Sequence, residues 1–129
     1  MATTETNEAK RAEMREIIAE AFGKGWSRAE LAAYAGVSEG TIGSYARGAS
    51  MGTNTIRSTL LAAALGKREA VLASKRESLR RSVEVSLRRA SDADARPDRR
   101  DWASRRPADW FRRCAEDYAA RLAVLEAAR

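Results

Sequence analysis

The side chains able to do chemistry in this chain are guanidinium groups, carboxylates and short hydroxyls. There is no histidine and only one cysteine, Cys114. Zinc sites of the ordinary ligand sets therefore cannot form. Histidine acid–base catalysis and Ser-His-Asp triads are excluded for the same reason. No GxGxxG or GxxxxGK[ST] phosphate loop occurs. The acidic residues are scattered among Arg and Lys, as on solvated helix faces. The chain reads as a non-enzyme with no metal and no cofactor, and what is left to it is charge and hydrogen bonding. The formal net charge is +6, which suits a nucleic-acid partner. Residues 1–66 hold seven basic and seven acidic groups, whereas residues 67–113 hold fifteen and eight. The positive charge thus lies behind a neutral first half. Arg80, Arg81, Arg88 and Arg89 are its densest pairs and form a possible second DNA surface, or simply an Arg-rich solvated helix.

Short polar side chains concentrate between Arg28 and Arg47, in RAELAAYAGVSEGTIGSYAR. This stretch reads as two short helices and a tight turn. Leu31 and Ala32 fall on the first helix, and a small residue at Ala32 lets the two helices cross closely. Gly36 sits where the chain must reach positive φ without a Cβ clash. Val37 follows the turn and tucks inward. Ser38 is placed to cap the second helix, whose Ile42 and Tyr45 share one face. The second helix of such a unit can enter the major groove of DNA.

Leu31, Ala32, Gly36, Val37, Ser38, Ile42 and Gly48, with LLAAALG downstream, resemble the lambda-repressor/Cro (Xre-type) helix-turn-helix family. The resemblance covers roughly Lys10 to Gly66, about half of the chain. It implies that Glu39, Gly40, Thr41 and Ser44 face base edges. A carboxylate at Glu39 can accept from a cytosine amino group, and Thr41 can meet a thymine methyl or an acceptor. It implies phosphate contacts from Arg28, Ser38 and Arg47, and from Ser50, Thr53 and Asn54 in the following loop. The family opens the first helix with Gln; Arg28 stands there instead, which keeps a phosphate contact and adds charge. Gly40 and Gly43 each cost the second helix about 1 kcal/mol relative to Ala, an expense that close approach to DNA or to the first helix would explain.

Helices must position these groups, and hydrophobic periodicity supplies them. Residues 1–6 read as disordered, with Thr6 or Asn7 capping a helix that runs to about Gly23. Its stripe is Met14, Ile17, Ile18, Ala21 and Phe22. Trp26 reads as core, and Ser27 as the cap of the next helix. A helix over 55–65 turns Ile56, Leu60, Leu61 and Ala64 inward, and Thr53 or Asn54 caps it. A fifth helix, 67–90, carries Leu72, Leu79, Val83 and Leu87. Residues 91–106 read as a linker in which Trp102 docks on a neighbouring helix. Pro107 suits the first turn of a sixth helix running to about Ala127. Its seam is Phe111, Cys114, Tyr118, Leu122 and Leu125, beside Trp110, and it packs either on its own chain or on a second copy. The expected fold is all-α: a lambda-repressor-like head over 7–66, continued by the fifth helix, then the linker, then a tail helix over 107–129.

Together these features predict a sequence-specific DNA-binding transcriptional regulator. The small single-head repressors of temperate phages and mobile elements are the nearest kind, since no protease-like or ligand-binding domain follows the head. One alternative is an antitoxin that autoregulates and binds a toxin through its C-terminal helices. Another is a monomeric repressor whose basic half is a second DNA-binding module. The expected partners are double-stranded DNA and a second copy of the chain and, in the antitoxin alternative, a protein held by the C-terminal helices. A cytoplasmic location follows from the single cysteine and from a polar start, MATTETNEAK, that is neither signal nor transit peptide. No apolar run approaches the roughly 20 residues of a membrane span.

Overall fold

A computed structural model describes the chain at residues 2–95 and 107–128, with side chains from Asn7 onward. The described residues form six α-helices and no strand: α1 (Ala2–Gly23), α2 (Arg28–Ala35), α3 (Glu39–Ala46), α4 (Asn54–Leu65), α5 (Arg68–Ala95) and α6 (Ala108–Ala127). They divide into two compact units, one reaching Ala73 and one beginning at Ser74. No helix among the described residues is long and apolar enough to cross a membrane.

In the first unit α1 packs on α3 and α4, and α2 packs on both of these as well. Met14, Ile17, Ile18 and Ala21 are buried on α1, as expected, and meet Leu31, Ile42, Leu60 and Leu72 in one core. Two expectations about α1 change. The helix opens at Ala2, ahead of the Thr6 or Asn7 cap and within the stretch expected to lack structure. Phe22 is 40 % exposed rather than part of the stripe. It lies about 100° round the helix from Ala21, and the chain leaves the helix one residue later. On α4, Leu60, Ala63 and Ala64 are buried, whereas Ile56 and Leu61 are only half-buried. The Thr53 hydroxyl caps this helix by accepting from the Ile56 N–H at 3.1 Å.

Trp26 is core, 3 % exposed, with its ring edge-on to Tyr34 at 5.4 Å. Beside it, Ser27 and Glu30 form a full capping box at the start of α2. Ser27 Oγ accepts from the Glu30 N–H at 3.1 Å, and Glu30 Oε1 accepts from the Ser27 N–H at 2.7 Å. The second Glu30 oxygen takes Arg68 Nη2 at 2.7 Å in a nearly buried ion pair, which ties the start of α5 to α2.

The second unit holds the rest of α5 together with α6. Leu79, Ser86, Ala90, Phe111, Ala115 and Leu125 are buried. Leu87, expected in the α5 stripe, is 51 % exposed. A straight helix turns about 100° per residue, which puts Leu87 about 80° away from Leu79 but Ser86 and Ala90 within about 20°. On α6 Phe111, Ala115 and Leu125 are buried, whereas Cys114, Tyr118 and Leu122, expected in the same seam, are half-buried. Arg76 Nε donates to the Leu125 carbonyl at 2.9 Å, and Arg112 bonds both Asp94 and Asp109. Residues 91–95, expected in the linker, continue α5. The rest of that linker, Trp102 included, lies outside the described residues.

Candidate nucleic-acid interface

The turn between α2 and α3 is set by Gly36 at φ 75°, ψ 34°. Its N–H and that of Val37 both donate to the Ala32 carbonyl, at 2.8 and 3.0 Å. This closes α2 in the left-handed manner for which glycine is suited. Val37 itself is half-buried. Ser38 then caps α3: its Oγ accepts from the Thr41 N–H at 3.1 Å and lies 2.8 Å from Thr41 Oγ1. Ile42 and Tyr45 point into the core, and burial raises the Tyr45 phenol above its usual range. The opposite face of α3 is left to the expected readers. Glu39 and Gly40 are exposed, while Thr41 and Ser44 are half-buried.

The six phosphate candidates fall into separate groups. Arg28 and Arg47, one at the start of α2 and one just after α3, come together over Gly43. Arg47 Nη2 also donates to Ser44 Oγ at 3.4 Å. Ser38 is engaged in its cap. Thr53 caps α4 and Asn54 accepts from Arg57, while Ser50 is half-buried in the loop after α3. The side chain that organises this loop is Arg57, which the sequence reading left out. It is 8 % exposed and donates through Nη1 to the carbonyls of Met51 and Gly52, both at 2.9 Å. Its Nη2 takes the Asn54 side-chain oxygen. Its signal was there: Arg57, Leu60 and Ala64 follow the i, i+3, i+7 spacing of an inward face.

In the second unit Arg80, Arg81, Arg88 and Arg89 are all exposed. Arg81 and Arg89 line an open groove of 390 Å³ with Ser78, Ser82 and Tyr118. Arg81 also meets Glu77 at 3.5 Å. The other two face elsewhere and do not contribute to this groove.

Comparison with protein-family models, with curated proteins and with solved structures finds no match to this chain. Any functional reading therefore stands on the residues and their geometry.

Proposed function

We propose that this chain is a sequence-specific DNA-binding transcriptional regulator, a repressor of the lambda-repressor/Cro helix-turn-helix kind, and not an enzyme. In this reading α3 lies in the major groove, as the second helix of such a unit does. The observation that carries it is the capped α3, joined to α2 through the Gly36 turn, with one face in the core and the other made of short polar groups. Arg28 and Arg47 come together beside that polar face, over Gly43. Glu39 accepts from cytosine amino groups and is repelled by phosphates, so it discriminates against wrong sites. Thr41 and Ser44 stand close enough to the helix for base edges to approach. The half-buried Cys114, Tyr118 and Leu122 of α6 supply an apolar seam for a second copy of the chain. Two linked heads gain affinity through effective concentration without new base contacts. The partners are thus duplex DNA and a second copy, in the manner of the small repressors of phages and mobile elements.

The test is selection of duplexes from a random pool by the purified full chain. The expected result is one enriched motif with two half-sites about one helical turn apart. Glu39→Ala or Thr41→Ala should then change preference at one or two base pairs, by about 1–3 kcal/mol. Truncation before Pro107, or Leu122→Asp, should give monomers that bind more weakly. A pool recovered without enrichment rejects the DNA reading. A monomer bound one-to-one on an asymmetric motif rejects the dimer and leaves the basic half as a second DNA-binding module.

A further inference from the structure

Gly43 lies in the middle of α3, where glycine weakens a helix, and its backbone is buried. A Cβ placed there would point between two guanidinium groups, 3.3 Å from Arg47 Nη1 and 3.5 Å from Arg28 Nη1. Two positive groups from two different helix ends thus close over one backbone position. Among the described residues neither arginine has a carboxylate within 4.0 Å. This sets the pair apart from Arg57, Arg68 and Arg112, whose heads are taken up by carbonyls or carboxylates of the chain itself.

Resting on the DNA reading above, we propose that Arg28 and Arg47 form one socket for a single phosphodiester of the duplex backbone, with Gly43 as its floor. The shape of the group decides for phosphate over base. A guanine edge offers O6 and N7 to one guanidinium fork. A phosphodiester carries one negative charge on two non-bridging oxygens, so each arginine can take one oxygen in a charge-assisted bond. An anion seated between them also removes the repulsion that the empty pair carries. Any side chain at position 43 would occupy the place where those oxygens must come. Gly43 therefore serves the socket through the room it leaves rather than through its backbone freedom. Ser44 holds Arg47 from the side through the Oγ contact and limits its wandering.

The experiment measures duplex affinity of the full chain against salt for Arg28→Gln, Arg47→Gln and the double variant, on a selected duplex and on a scrambled one. A shared phosphate predicts that the double variant lowers the slope of log affinity against log salt by about 0.9, the value for one neutralised phosphate. The drop should be the same on both duplexes. Gly43→Leu, which fills the socket with a good helix former, should show the same drop while keeping its helicity and melting temperature. A drop of about 1.8 in the double variant means two separate phosphates and overturns the socket. So does an unchanged slope in the double variant or in Gly43→Leu, or a loss confined to duplexes with one particular G·C pair. A wild-type chain that binds no duplex at all removes the DNA reading and the socket together, whereas the other results remove the socket alone.

Discussion

Arg57 shows how a charged side chain can hold a loop from inside. Its guanidinium reaches two carbonyls and the Asn54 side chain, and the loop after α3 is built round it. Replacing it with Met keeps the apolar stem and leaves both carbonyls without a donor. Met51 and Gly52 are half-buried, and a hydrogen bond from a charged donor contributes about 1.5–3 kcal/mol. Arg57→Met should therefore lower the denaturation midpoint and raise amide exchange over residues 49–54, with the rest of the first unit still protected. Exchange rising evenly through the unit would contradict this. The caps were legible as sequence, because Ser38 and Thr53 each stand one residue before a helical pattern. Arg57 was not read, because charge is ordinarily taken as a sign of the surface. The convergence of Arg28 and Arg47 was not legible at all: it depends on how α2 crosses α3, and no local spacing states that.

At the scale of the element, the helices were legible in number and order, and their phases only in part. The narrow α5 stripe of Leu72, Leu79, Val83 and Leu87 followed the commonest large apolar residues. The structure instead follows angle, and buries Ser86 and Ala90 while Leu87 faces out. Hydrophobicity does not mark Ser86 or Ala90, whose small side chains are buried all the same. Leu79 and Leu87 give the contrast to measure. Leu79→Ala should cost about 2–5 kcal/mol, the usual range for emptying a buried leucine site. Leu87→Ala should change thermal stability by less than about 0.5 kcal/mol, as surface substitutions do. Similar losses at both positions would place Leu87 inside a contact. The helix ends were less legible than the helices. Among the described residues α5 continues to Ala95, because Ser91, Asp92 and Asp94, which suggest a turn, are exposed and are tolerated on a solvated helix face.

Across the whole molecule the shifted groups predict responses of the two units to alkali that are opposite in sign. In the first, burial raises the phenols of Tyr34 and Tyr45 above 10.0. Above that pH the unfolded chain gives up these protons while the folded chain keeps them, so their contribution to stability is present below pH 10 and is lost as pH climbs through the raised values. In the second, burial and then the charge of Arg121 lower Lys75 below 10.5. Here the unfolded chain binds more protons, so stability rises as pH climbs from the lowered value towards 10.5. Amide exchange followed across this range should show residues 14–64 losing protection while residues 79–90 gain it. A parallel fall in both would mean that Lys75 does not govern its unit. Tyr45→Phe should flatten the response of the first unit.

The burial of Trp26 has an optical consequence. Its indole is shielded from water, edge-on to Tyr34, and its Nε1 has no hydrogen-bond partner. An indole so placed emits at short wavelength. With Trp102 and Trp110 changed to Phe, the chain carries a single indole emitter, buried against Tyr34 of α2. Unfolding the first unit should shift its emission to the red. Binding a duplex along α3 should leave the wavelength where it was, and a soluble quencher such as iodide should reach it in neither the free nor the bound state. Emission that reddens on adding duplex would show that this core opens when the chain engages its partner.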